Sequence, residues 1–213
     1  MKNLKEYILE SLLDKEKDLV DNNDALIRDF LEKNYKIKGS YIIKNGIVDV
    51  KGDVWAKNKE ITSLTNKLFE FGKVSGNFEF GWCELLTSLE GAPKEVGGNL
   101  KCYYCYKLES LKGSPKKVGE NFSCSNCNSL ISLDGAPEKI GGDFDCSYCE
   151  SLKTLEGAPR EIGGDFYCEN CKKLTSLKGA PKEIGGDFYC EKCPKLTSLD
   201  GVSKADKIYS DII

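Results

Sequence analysis

The 213-residue chain contains no histidine. No imidazole is therefore available to move a proton near neutral pH, and acid–base chemistry would have to come from other groups. Long apolar runs are missing as well: no stretch approaches the roughly 18 residues of a membrane span. The opening MKNLKEYILESLLDKEKD carries acidic residues inside its apolar stretch, unlike a secretory leader. Charge of one sign is also lacking. The 31 basic and 34 acidic residues are finely mixed to a net charge of -3, so no basic block exists to neutralise phosphates or an anionic lipid surface. These absences predict a cytoplasmic protein that binds neither membrane nor nucleic acid directly. In a reducing compartment its 11 cysteines are expected to remain thiols or to bind metal instead of forming disulfides.

What is present is a repeat. Over residues 86–201 a 22-residue unit is written five times, from Leu86, Leu108, Leu130, Leu152 and Leu174, and begun again at Leu196. A fixed period of this length marks stacked units that bury their apolar faces on one another. The clearest copy reads LTSLKGAPKEIGGDFYCEKCPK. Leu174, Leu177, Ile184, Phe188, Cys190 and Cys193 occupy positions that stay apolar or small, and they are assigned inward. Phe188 and Cys190 are two apart, so a short strand points both inward and turns Tyr189 outward. Gly179-Ala180-Pro181 and Gly185-Gly186 are assigned as corners, because Gly accepts unusual dihedrals and Pro fixes one. Two corners and two short strands leave no room for a helix. The expected fold is mainly β, a solenoid of 22-residue coils pairing in parallel, with seven coils spanning roughly 35 Å.

Around this array the chain divides into four parts. Residues 1–35 read as two amphipathic helices, carrying Leu4, Ile8 and Leu12 and then Leu26, Ile27, Phe30 and Leu31, that cap the N-terminal end. Residues 36–85 switch to period two around the turn dipeptide Asn45-Gly46 and contain two degenerate repeats, marked by Val50 to Val54 and Val74 to Phe78. Residues 86–201 are the regular array. Residues 202–213 form a tail in which Ile208, Ile212 and Ile213 are expected to close the C-terminal end.

The phrase CxxLxSLxGAPxxIGGDFxC resembles the short leucine-rich repeats of bacterial surface antigens, CxxLxxIxIPxxVxxIGxxAFxxC. It is also similar to repeat proteins of phage and prophage genomes, down to the opening KEYILESLLD and the later VDVKGDV. The resemblance implies a leucine-rich-repeat-like β-solenoid with an N-terminal helical cap, and a binding role more than a catalytic one. The second Cys of each unit and the Gly-Gly corner depart from the surface-antigen pattern.

Four motifs suggest chemistry. Consecutive units present C-x2-C-x18-C-x2-C, as in Cys102, Cys105, Cys124 and Cys127, which is zinc-ribbon spacing. Yet the repeat forces that spacing, and the first Cys position becomes Phe80 and Ala56 in earlier units while Cys83 persists. Buried structural thiols fit the same facts, so no metal ligand and no cofactor is assigned. A redox CxxC needs one exposed thiol of low pKa, whereas these sulfurs are all equivalent. The repeated Asp and Glu around DFDCSYCE read as a solvated face, and Gly-Gly-Asp has no following helix to cradle phosphate. No catalytic residue is assigned.

The outward positions vary between copies and carry aromatics that packing does not demand. Trp82, Lys101, Tyr103, Tyr104, Tyr106, Tyr148, Tyr167 and Tyr189 are assigned as partner-binding, since exposed aromatics flanked by charge make interface hot spots. Stacking between neighbouring strands is the competing reading. The expected function is a non-enzymatic, monomeric protein that binds and occludes another protein. The phage resemblance implies a host defence nuclease as that partner, such as a CRISPR effector with a basic channel, and thus an anti-CRISPR-like inhibitor. The alternatives are a phage structural or assembly protein and a zinc-binding repeat protein.

Overall fold

Two parallel ladders run the length of the array, and each coil contributes one two-residue strand to each. The structure is a computed structural model describing residues 19, 22–57, 59–202 and 205–212. One ladder joins the end of Glu70–Val74 to Glu95–Val96, Lys117–Val118, Lys139–Ile140, Glu161–Ile162 and Glu183–Ile184, and is called here the valine ladder. The other joins Phe78–Glu79, Leu100–Lys101, Phe122–Ser123, Phe144–Asp145, Phe166–Tyr167, Phe188–Tyr189 and Ile208–Tyr209, and is the phenylalanine ladder. The result is a mainly β, parallel solenoid of about seven turns.

The inward assignments hold. Leu174, Leu177 and Phe188 are fully buried, and Ile184, Cys190 and Cys193 are at most 7% exposed. Neighbouring coils place identical residues in register, so Phe122, Phe144, Phe166 and Phe188 form a column with ring centroids 5.0–5.5 Å apart. Each ring closes the gap left by its neighbours, and burial of each contributes on the order of 1.5–3 kcal/mol.

The two glycine corners work differently. Gly179 sits at φ +88, where a side chain is strained, as expected of the Gly-Ala-Pro corner. The Gly-Gly corner is instead a matter of close approach. A Cβ on Gly163 would lie 2.1 Å from the carbonyl oxygen of Gly141 one coil earlier. Stacking of backbone on backbone excludes any side chain there.

The residue after Gly-Gly corrects another expectation. Asp53, Asn77, Asn99, Asn121, Asp143 and Asp165 each accept, through Oδ1, the backbone amide of the equivalent residue in the next coil, at 2.8–3.1 Å. These side chains therefore hold a corner whose amides would otherwise lack acceptors, instead of merely solvating a face. Asn and Asp alternate freely because both present the same acceptor.

At the N-terminal end, β1 (Tyr35–Lys44) and β2 (Ile47–Ala56) form an antiparallel hairpin through Asn45 and Gly46, both at positive φ. That pair of dihedrals matches a tight primed turn. β2 then pairs with Glu70–Val74 and with Phe78–Glu79, so one long strand starts both ladders. Helix α1 (22–34) buries Ile27 and Leu31 against this end, and Phe30 packs edge-on to Phe69 at 5.9 Å. Leu26, expected in the same stripe, is 51% exposed, so the buried face is narrower than the sequence suggests. Leu4, Ile8 and Leu12 lie outside the described residues. At the C-terminal end Ile212 packs on the core, whereas Ile208, in register with Phe188, is 43% exposed. Ile213 lies outside the described residues.

Candidate functional site

All 11 cysteines are free and buried. The second Cys of each unit donates its thiol to a backbone carbonyl of the preceding coil. Cys105 reaches Phe80 O, Cys127 reaches Cys102 O, Cys149 reaches Cys124 O, Cys171 reaches Cys146 O and Cys193 reaches Cys168 O, at 3.2–3.5 Å. The acceptor is main chain, so the first position takes Phe80 as readily as Cys. The second position keeps its sulfur in every one of these coils, while of the first-position thiols Cys146 and Cys190 donate instead to the following coil, at Tyr167 O and Tyr209 O. Burial pushes the thiols of Cys83 and Cys190 up, to about 11 and about 12, and raises Cys102, Cys105, Cys146 and Cys168. Cys193, in the last regular coil, is lowered by its hydrogen bond with Cys171. Thiols held protonated in the core are poor nucleophiles. Among the described residues no three Cys, Asp or Glu side chains are gathered as a metal centre requires.

Between the two sulfurs the chain turns through the left-handed region. Trp82, Tyr104, Asn126, Tyr148, Asn170 and Lys192 sit at φ 55–65. Asn visits this region easily, while bulkier residues are strained by roughly 1–2 kcal/mol. The turn lifts these side chains off the phenylalanine ladder into solvent. Trp82 is 48% and Tyr148 50% exposed.

The eight residues assigned to partner binding share this one outer face but fall into separate groups. Trp82 stacks on Tyr104 at 4.1 Å, and Tyr103 and Tyr106 meet Tyr104 edge-on at 5.9 and 6.1 Å. Gly81 makes room for this cluster, since a Cβ there would stand 2.6 Å from the Tyr103 ring. The Tyr103 hydroxyl donates to Glu79 Oε1 at 2.8 Å, and Lys101 pairs with the same carboxylate at 4.0 Å. Partial burial and Glu79 raise the Tyr103 phenol to about 12.

At the other end Tyr167 stacks on Tyr189 at 4.7 Å and Tyr189 on Tyr209 at 4.6 Å, with planes 10° and 3° apart. This group repeats as a cross-strand ladder, so stacking between strands accounts for part of what binding was invoked to explain. Tyr209 was missed because it lies beyond the regular repeats. The match of Ile208-Tyr209 to Phe188-Tyr189 was the available signal.

Between the two aromatic groups lies a groove of about 620 Å³. It crosses the coil carrying Ser123, Ser125 and Asn126, whose equivalents one coil earlier are the larger Lys101, Tyr103 and Tyr104. Lys101 stands on one side and Tyr148 and Tyr167 on the other. The polar lining includes Asp143, Asp145, Ser147 and Glu169. Asp145 accepts the Ser123 hydroxyl at 3.2 Å and the Ser147 amide at 2.9 Å. Burial raises the Glu169 carboxyl, with a further contribution from Glu191. The variable outward positions were visible in the sequence, but not that Ser123 and Ser125 in one coil leave a depression. Among the described residues no helix is long and apolar enough to cross a membrane. No family model, curated protein or solved structure matches the chain.

Proposed function

We propose that the chain is a non-enzymatic protein-binding module that grips a basic surface of a partner protein through the outer face of the phenylalanine ladder. The observation that carries this reading is the placing of Trp82, Tyr104 and Tyr148 at left-handed turn positions, φ 57–65, where Asn126 and Asn170 are the comfortable residues. Strain of this kind is held where surroundings over-determine it, and it clusters at functional positions. Aromatics so placed supply large contact area for few lost rotamers. The acidic groove between them complements positive charge, and a backbone already ordered by two ladders loses little entropy on binding. The mechanism is occlusion.

The phage resemblance makes a cytoplasmic defence nuclease with a basic nucleic-acid channel the first partner to test. Lysines at positions 36, 38 and 44 line β1 at one end of the sheet, and charged edges of this kind discourage self-pairing, in keeping with a monomer.

The test is capture from host lysate with the native chain and with Trp82, Tyr103, Tyr104 and Tyr106 all changed to Ser. Calorimetry on the purified partner over a salt series follows. A stoichiometric basic partner, lost with the variant and weakened by salt, is expected. Equal capture by both chains, or self-association in sedimentation, overturns the reading.

A further inference from the structure

We propose that the groove centred on Ser123, Ser125 and Ser147 is an arginine pocket, taking the guanidinium of one arginine side chain from the partner protein. This rests on the reading that the face binds a basic protein, and it names the group that seats at its centre.

Ser147 is the starting point. It is the single buried polar residue among the described residues, 5% exposed, and it lines the groove. Its amide donates to Asp145, but its hydroxyl has no hydrogen-bond partner among the described residues. Among the described residues the one fully buried side-chain oxygen without a partner is Ser114 Oγ, so the Ser147 hydroxyl reaches the groove surface, where it can accept a hydrogen bond from a ligand. Glu169, lining the same groove, accepts the Tyr148 amide through its backbone carbonyl at 2.8 Å, which leaves its carboxylate to the groove. Asp145 uses each oxygen once, for Ser123 and for Ser147, and retains lone pairs.

The charge points the same way. Of the lining residues, Asp143, Asp145 and Glu169 are anionic and Lys101 cationic, its ammonium drawn toward Glu79, while Lys192 acts on Glu169 from outside the lining. An anion would meet three carboxylates, and a neutral ligand would leave them unpaired. Burial first, and then Glu191, disfavour the charged form of Glu169, and a cation seated beside it would offset both. Arginine fits better than lysine for two reasons. Its five donors form a planar fork that spans acceptors spread over Asp145, Ser147 and Glu169, and its flat cation stacks on rings such as Tyr148 and Tyr167.

The experiment titrates the full chain, by amide NMR, with a capped Gly-Gly-Arg-Gly-Gly peptide and its lysine and citrulline analogues. The arginine peptide is expected to shift Ser125, Asp145, Ser147 and Glu169, with the citrulline form weaker by about tenfold and the lysine form in between. Glu169→Gln and Ser147→Ala each weaken the arginine peptide several-fold, while the melting temperature stays level or rises in Glu169→Gln. Equal binding of arginine and citrulline peptides, or shifts centred elsewhere, overturns the pocket. The two readings separate on the purified partner. If the four-aromatic variant abolishes partner binding while Glu169→Gln and Ser147→Ala leave it unchanged, the pocket is wrong and the binding face stands. If the arginine peptide binds as described but the four-aromatic variant keeps full partner affinity, the face reading fails instead.

Discussion

The same coils present two outer faces that differ in kind. Along the valine ladder the outward residues are Lys73, Glu95, Lys117, Lys139, Glu161 and Glu183, a charge at every step. Lys73 pairs with Glu95 and Lys139 with Glu161 across neighbouring coils, each side chain about half exposed or more. Such pairs contribute about 0–1 kcal/mol each, and they keep a wall wet. Along the phenylalanine ladder the corresponding residues are Glu79, Lys101, Ser123, Asp145, Tyr167 and Tyr189. Backbone, period and inward packing are the same behind both faces. The need to keep a solenoid hydrated therefore explains the first face and leaves the second unexplained. Strained aromatics and an acidic groove are what remain when packing has been accounted for.

The comparison breaks most severely where both ladders depend on one atom. In Gly141→Val, the added Cβ would lie 2.0 Å from the Gly119 carbonyl oxygen, and no flexible group is there to yield. Loss of a cooperative melt, followed by circular dichroism, is expected, and both faces go with it. A well-folded Gly141→Val protein would show that the coils can separate at this corner.

Alkaline pH loosens one side more selectively, because the sulfur columns lie behind the phenylalanine ladder. Cys83 and Cys190 hold their protons to about 11 and about 12, above the ordinary thiol value. The unfolded chain ionises first, so stability is complete below the ordinary thiol range and falls as pH rises through about 9 to 11. Urea midpoints at pH 7 and pH 10 should show the drop. A midpoint unchanged at pH 10 would mean that the thiols are not held protonated.

A milder substitution separates stability from binding. Tyr148→Asn places at φ 60 the residue that Asn126 and Asn170 already provide in equivalent coils. Stability should rise by about 1 kcal/mol in denaturant melts while partner affinity falls. A rise in both would remove Tyr148 from the binding face. Lys139→Ala on the opposite wall should change stability by less than about 0.5 kcal/mol and partner affinity not at all. A clear loss of affinity there would make the valine ladder a contact surface and dissolve the contrast.

Much of the architecture was legible because a repeat announces itself. Leu174, Leu177 and Phe188 recur at fixed offsets, and a residue that must face its own copy one coil away can only point inward or outward. The turn at Asn45-Gly46 and the corner at Gly179 followed from local dihedral chemistry. What local chemistry could not reveal was approach between coils. Gly163 looks like a flexible corner and is instead a contact point, and Asp165 looks like a surface charge and is instead a backbone acceptor. Cys127 and Cys124 look alike, yet only the former has its thiol on a carbonyl of the preceding coil.

The candidate site divides along the same line. Its aromatic members were visible as residues that vary over a constant core, and all eight lie along one face. Their grouping was not visible, because Trp82 on Tyr104 and Tyr167 on Tyr189 depend on how far each turn lifts its side chain and on the space left by Gly81. The groove was invisible for a simpler reason: a depression is the difference between one coil and its neighbours.

The sequence by itself determined the period, the inward set and the outward set, since a two-residue strand repeated every 22 residues fixes alternation and register together. Only the tertiary structure decided which outward side chains meet, which glycines must be bare, and that Ser147 and Glu169 line one groove. Those outcomes depend on distances between coils a full repeat apart, and such distances exist only once the coils have stacked.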